Sequence, residues 1–408
     1  MKLLLKLSWR NIWRNKRRSV ITLLAVTFAV FFAVAMRGVQ DGVYGINIRT
    51  AVEIFAGFLQ IENKDYLDNP SITKSFKPDD KLIARLENNT EIKQFSKRVY
   101  ANGLASLREN TLPAMIVGIQ PEKEKEVTTL FKKISDGKFL QSDSSANALI
   151  GHKLLKNLKA GIGDEIILLT QGFDGSMGNM KFRITGILKT GSPDLDEAGV
   201  VIPIKTAQNL ASLYGRISSI AVSLNNFNKI EDVRETLNKK LSGDLQAFSW
   251  KEILPELKES IELDNISGLM FLAILIIIVT FGILNTVLMS VTERFREFGI
   301  ALSIGMPQKK LVAIIIMETV FVTVIGIIFG NILAYGLNSY LVANPIIMEG
   351  SYGALYEEYG FLPIITSSIQ AAIFINSTLV ILGAALLASI YPIIKVYRLE
   401  PLKGIRYT

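Results

Sequence analysis

Four long apolar stretches interrupt an otherwise mixed chain, at residues 20–36, 266–290, 311–341 and 369–394. A helix needs about 20 mostly apolar residues to cross the hydrocarbon core of a bilayer. The first stretch sits at the short end of that range and the others reach it, so four transmembrane helices are expected. Residues 37–265 lie between the first two and have a different texture, in which short runs of period two alternate with runs of period 3.6. Their early part predicts a strand at 57–62, a helix at 79–88, and strands at 98–107 and 114–119. Their end repeats the pattern, with a strand at 218–224, a helix at 229–241 and a strand at 245–250. The intervening segment predicts strands at 148–151, 165–170, 181–188 and 200–203 and a helix at 153–158. The expected fold is an α-helical integral membrane protein with four transmembrane helices and a large α+β extracytoplasmic domain. In that domain two βαβ-type units form one subdomain, into which a second, β-rich subdomain is inserted.

The polar residues between the spans set the orientation. The chain has a formal net charge of +8, and residues 1–36 carry seven basic residues and no acid. Residues 37–265 are balanced in charge, so the surplus flanks the membrane. Short loops rich in Lys and Arg stay cytoplasmic, which puts both termini inside and residues 37–265 outside. The loop 342–368, with Glu349, Glu357 and Glu358 and no basic residue, then faces outward, and 395–408 is a basic cytoplasmic tail. Residues 1–19 alternate Leu3, Leu4, Leu5, Leu7, Trp9, Ile12 and Trp13 with basic residues, as a helix lying along the inner leaflet would. A second cytoplasmic contact surface is the other reading of that segment. Ala33-Val34-Ala35 imitates a signal-peptidase site, but the apolar run exceeds the usual length of about 7–15 residues, so a retained anchor is expected.

The compact segment 291–310, V-T-E-R-F-R-E-F-G-I-A-L-S-I-G-M-P-Q-K-K, separates the second and third spans. It predicts a short amphipathic helix. Phe295, Phe298, Gly299 and Leu302 share one face, Glu293, Arg296 and Glu297 lie around the other, and Gly305 and Pro307 end it. Asn285 and Glu318 are polar residues inside proposed spans, and an intramembrane acid invites a functional reading. Gly326 and Gly330, with Ala334 a turn later, would let helices approach closely, within one molecule or between two.

Candidate chemistry is sparse. The glycines never form a phosphate-binding P-loop, and His152 is the only histidine, with no second histidine or cysteine to make a metal cluster. Asp194, Asp196 and Glu197 lack the ordered spacing of a calcium loop and read as a solvated acidic turn. The absence of Cys excludes disulfides and catalytic thiols. The basic surplus is read as membrane orientation, with no nucleic-acid partner. An enzyme is not expected.

Several of these stretches together resemble a known family. L-S-W-R-N-I-W-R-N-K-R-R-S-V-I-T-L-L at 7–24, E-R-F-R-E-F-G-I-A-L-S-I-G at 293–305, Met317-Glu318, and P-x-x-K-x-x-x-L-x-P-x-x-x-I-R at 392–406 are similar to MacB/FtsX-like ABC transporter permeases. Residues 184–208 resemble the lipoprotein-releasing LolC/LolE branch, while the loop 171–179, short and Gly-rich, stands where LolC carries a long hook. The resemblance implies a permease in the bacterial inner membrane that works by mechanotransmission, with no cofactor of its own. ATP and Mg would be bound by a separate cytoplasmic ABC ATPase dimer gripping 291–310. Glu293, Arg294, Phe295, Arg296, Glu297, Phe298 and Gly299 would form the coupling site, with the two phenylalanines as anchors and the charged residues as rim. It further implies a second permease protomer, equal or unlike, and contact with membrane lipid. Lipoprotein cargo and a periplasmic carrier are the remaining partners. Lipid tails entering between the first two spans would pass Met36, Val39, Leu269 and Leu272. An efflux permease for peptides or toxins, and an FtsX-like regulator of a cell-wall hydrolase, are the alternative functions.

Overall fold

The structure, a computed structural model, describes residues 2–14, 16–241, 243–351, 353, 356 and 362–398. Glu357, Glu358 and the tail beyond residue 398 lie outside the described residues. The chain opens with α1 (Lys2–Arg14) and α2 (Lys16–Ala51), followed by β1 (Leu59–Asn63) and α3 (Asp80–Glu87). A long hairpin, β2 (Ile92–Leu107) and β3 (Asn110–Ile119), leads to α4 (Pro121–Val127), β4 (Ile134–Gly137), β5 (Asn147–Gly151) and α5 (His152–Leu158). A second hairpin, β6 (Glu165–Gln171) and β7 (Met177–Leu188), precedes α6 (Pro193–Ala198), β8 (Gly199–Pro203) and α7 (Ile204–Leu210). Then come β9 (Ser219–Leu224), α8 (Ile230–Lys240), β10 (Leu245–Ser249) and α9 (Trp250–Ile253). The chain continues through α10 (Pro255–Glu293), α11 (Phe295–Ser303) and α12 (Gln308–Ala343) to the short strands β11 (Ile346–Ile347) and β12 (Ile364–Ile365), and α13 (Ala371–Tyr397).

Two compact units result. A helical unit takes in Met1–Tyr44, Ile261–Ile347 and Ile364–Thr408, and a sheet unit takes in Gly45–Ser260 and Met348–Pro363. Among the described residues, four helices are long and apolar enough to cross a membrane: those containing α2, α10, α12 and α13. The helical unit is a membrane unit. Its core is Val26, Ala29, Val30, Ala33 and Val34 of α2 against Val279 and Ile283 of α10, Ile327 and Ala334 of α12, and Ile381 and Ala385 of α13. α2 runs 36 residues, well past the apolar run 20–36. Its polar continuation is held by bonds to α10: Arg37 donates to Asn265 at 2.6 Å, and the Tyr44 hydroxyl donates to Asp264.

In the sheet unit, the two distant strand–helix–strand segments do meet, because β1 pairs antiparallel with both β9 and β10, and β9 pairs with β2. The inserted strands extend that same sheet. β2 pairs with β3, β3 with β8, β8 with β5, β5 with β7, β7 with β6, and β6 returns to β2. Six strands therefore close into a ring, which leaves those pairings without a free edge. β2 can serve both parts because it is 16 residues long: Ile92–Arg98 lies along β9, and Gly103–Ser106 along β6.

Burial follows from these pairings. β6 and β7 alternate, with Ile166, Leu168, Phe182 and Ile184 inside. β3, β5 and β8 are apolar on both faces because Ile116, Ile150, Val200 and Ile202 belong to one cluster, and Val117, Leu149 and Val201 to another. α3 is capped by Asp79, whose carboxylate accepts from Leu82 N at 2.7 Å, and it buries Leu82 and Leu86. In the acidic segment at 191–199, Asp194 and Glu197 are exposed as expected of a solvated turn, but Asp196 is not. The segment forms α6, and Asp196 is buried, accepting from Thr190 N, Thr190 Oγ1 and Gly191 N, so local backbone donors hold the carboxylate.

The sheet unit also buries charge. Arg98 is fully buried and donates through Nε and Nη2 to both carboxylate oxygens of Glu124 on α4, with its guanidinium 4.4 Å from the Phe55 ring centre. Such a pair is tolerable only because its hydrogen bonds are met; Thr128 Oγ1 adds one to Glu124 at 2.8 Å. Glu62 on β1 is less well served, being buried with Oε2 unpartnered among the described residues. Burial pushes its carboxyl up from 4.5 to about 7, against the opposing pull of the Ser219 hydroxyl and the Arg98 charge. Stability from this group is complete below about pH 4.5 and declines as pH rises through about 7, because the folded state keeps a proton that the unfolded state has released. Glu62→Gln is therefore expected to match the wild type in thermal unfolding near pH 4.5 and to exceed it increasingly up to pH 8. An equal difference at every pH would contradict this.

Candidate functional site

The segment between the second and third long helices is built by two interruptions. α10 ends at Glu293, Arg294 breaks the helix, and α11 runs Phe295–Ser303. Gly305, at φ 96°, ends α11 with its N–H bonded to Leu302 O, and Met306 N bonds back to Ala301 O. Pro307 then stands at the N-cap position of α12.

The apolar face of α11 turns inward. Phe295, Phe298 and Gly299 are buried, and the two rings pack with Val291, Leu311, Ile315 and Val396. This corrects their expected role as anchors for a partner. Rings packed between α10, α12 and α13 offer no surface to dock against. Arg294 also departs from its expected place on the rim. It is buried beside Phe298, and its Nη1 donates to both oxygens of Glu318 on α12, at 2.9 and 3.1 Å. One guanidinium nitrogen is thus shared between the two carboxylate oxygens, a charge-assisted contact. What α11 exposes is Arg296, Glu297, Ile300, Ser303 and, just past its end, Ile304, which is 82% exposed. The isoleucines continue the outward stripe started by Glu293 and Glu297 at helical spacing.

The outward acids are already engaged from within the chain. Arg18 makes a two-bond contact to Glu293 at 2.9 and 2.5 Å, and Arg14 Nη2 donates to Glu297 at 2.9 Å. Partial burial works against ionisation of Glu297, yet Arg14 and Arg294 hold its carboxyl below the usual carboxylate range. Asn11 Nδ2 donates to Glu318 Oε1 at 2.7 Å. Asn11, Arg14 and Arg18 are not among the site residues expected from sequence, although one regularity points to the two arginines: two bases four residues apart answer two acids four residues apart.

The other predicted site residues lie elsewhere in the helical unit. Gly326 and Gly330 face α2, where a Cβ would come within 2.8 Å of Val26 Cβ and 2.6 Å of Val30 Cβ, and Ala334 is fully buried. The small-residue stripe is thus used in packing within one chain. Asn285 is exposed on α10, away from the Glu318 cluster. Met36 and Val39 are half-buried on α2; Leu272 is half-buried against the helical core, and Leu269 is exposed on α10.

These features are those of an integral membrane protein with a large mixed α/β domain, and both parts match family models. The model for the MacB-like periplasmic core domain matches residues 19–240, and that for the FtsX-like permease C-terminal region matches residues 269–401. The chain belongs to the MacB-like periplasmic core domain family, and it is an ABC transporter permease of the LolC/MacB/FtsX type. It is similar to the lipoprotein-releasing system transmembrane protein LolC of Xylella fastidiosa, 22% identical over 311 residues, covering 73% of this chain and 74% of that protein. It is similar also to the macrolide export ATP-binding/permease protein MacB of Bdellovibrio bacteriovorus, 23% identical over 344 residues, 78% of this chain and 47% of that one. Among solved structures, the periplasmic region of MacB from Actinobacillus actinomycetemcomitans aligns with 52% of this chain and 96% of its own, at 17% identity and a TM-score of 0.36.

The α2–α12 contact generates a direct test. Gly330→Val should abolish recovery of folded protein, because the new side chain would meet Thr27 O and Val30, whereas Gly336→Ala, with nothing within 4 Å, should behave as wild type. Size-exclusion profiles in detergent would separate the two; a normal profile for Gly330→Val would refute the contact.

Proposed function

We propose that this chain is the permease subunit of an ATP-driven transporter in the bacterial inner membrane, with both termini cytoplasmic, and that it releases lipoproteins or related lipidic envelope cargo by mechanotransmission. A separate cytoplasmic ATPase, carrying the ATP and Mg, grips α11 and dimerises on nucleotide, and a second permease protomer completes the cargo site. The observation that carries the reading is α11 itself, a helix between two long apolar helices. Its inner face is locked into the helical core, while its outer face presents Ile300, Ile304 and Arg296. A handle that transmits force has to be rigidly attached on one side and free on the other. Apolar residues ringed by charge are the usual energetic centre of such a contact. The basic residues flanking the helical unit favour a cytoplasmic position for this helix. The name of the Xylella relative favours lipoprotein release, and that of the Bdellovibrio relative favours an efflux permease as the second reading.

In nanodiscs holding the permease and its co-purified ATPase, a triacylated lipoprotein is expected to stimulate ATP hydrolysis, and a macrolide is not; the reverse would favour efflux. Ile300→Asp with Ile304→Asp should weaken ATPase association by about tenfold or more while the permease remains folded. Undiminished association would reject the outer face of α11 as the docking surface.

A further inference from the structure

One carboxylate in the helical unit holds three segments of the chain at once. Glu318 lies ten residues into α12, about 15 Å along the helix axis. It borders a cavity of about 70 Å³ that is also lined by Thr22, Thr286, Ser290, Thr319 and Thr323. A carboxyl group in such a place needs hydrogen-bonding partners. Its partners come from two other elements: Asn11 from α1, and Arg294 from the break before α11. Arg14 and Arg18 then pair with Glu297 and Glu293 at the periphery, and Ser8 Oγ donates to Ile314 O on α12 at 3.2 Å. An exposed ion pair by itself would fix little. Four ties from α1 and the start of α2, centred on a Glu318 side chain only 15% exposed, amount to a specific docking. A helix serving only as a lipid anchor has no need of them. Trp9 adds an edge-to-face ring contact to Phe321 of α12, with ring centres 6.0 Å apart, while Trp13 stays exposed and leaves room for a lipid contact.

We propose that Glu318 is the positioning residue of the coupling helix, and that α1 belongs to the coupling element, so that α1, α11 and the start of α12 move as one body. The proposal rests on the reading of α11 as the handle gripped by an ATPase and adds what holds that handle in place. Force applied at Ile300 and Ile304 then enters α12 and α1 together, through Arg294 and Glu318.

The chain contains no Cys, so spin labels attach only where cysteines are introduced. Labels at R10C on α1 and S303C on α11, in the full-length permease in nanodiscs, should report one narrow distance distribution. Glu318→Ala should broaden it at least twofold and, in the unlabelled protein, weaken association of the co-purified ATPase by about tenfold. Glu318→Gln, which keeps an acceptor oxygen, should recover part of both. Arg14→Glu with Arg18→Glu should act in the same direction, and adding Glu293→Arg with Glu297→Arg should restore the distance. This four-residue exchange decides the matter if Glu318→Ala does not fold. Unchanged distances in the folded variants would overturn the proposal, as would broadened distances with undiminished ATPase association. If no ATPase accompanies the wild type, the transporter reading fails on its own account, and the distances alone decide whether α1 and α11 form one body.

Discussion

The pairing of Arg294 with Glu318 organises the helical unit around α11. An arginine at a helix break and a carboxylate inside a long apolar helix would each be expensive alone, and each makes the other tolerable. Once they are joined, the break after Glu293 cannot straighten into a continuous helix, and α11 must lie where Phe295 and Phe298 fill the space between α10, α12 and α13. The same carboxylate draws Asn11 toward it, so the N-terminal helix is placed by that bond as well. Close packing elsewhere supplies the rigidity: Gly326 and Gly330 bring α12 against Val26 and Val30 of α2, leaving no slack for side chains between them.

The sheet unit solves a different problem in a related way. Ten strands with polar edges are made safe by closing six of them into a ring, with β2 long enough to join that ring to the β9–β1–β10 extension. Inside it, Arg98 is buried against Glu124 and stacked on Phe55, with every strong donor directed at an acceptor or a ring face. Glu62 is the exception, and the cost of its burial is visible in its raised proton affinity. α2 and α10 each contribute residues to both units.

Much of this was legible in the order of residues. The four long helices, the short helix at 79–88 and the meeting of the two distant strand–helix–strand segments all follow from periodicity and from the repeated strand–helix–strand pattern. So does the division of α11 into an aromatic face and a charged face. The ring closure was not legible. It depends on β6 and the far end of β2, and both edges of β6 look alike in sequence. The buried Arg98–Glu124 pair was hidden because a charged residue in a strand reads as an exposed one unless its partner is known.

What the sequence by itself determined is local: which segments are apolar enough to leave water, which faces of each helix are apolar, and where the charge lies. Only the tertiary structure decided which surface each face meets. Phe295 and Phe298 would suit a partner's groove as well as the protein's own core, because burial of apolar area has no direction. The outcome turned on α12 and α13 standing within reach. The ties of Arg14 and Arg18 to Glu297 and Glu293 span 283 and 275 residues of chain. Matched charge spacing permits such contacts, but only the packed helices between those ends bring them within hydrogen-bonding distance.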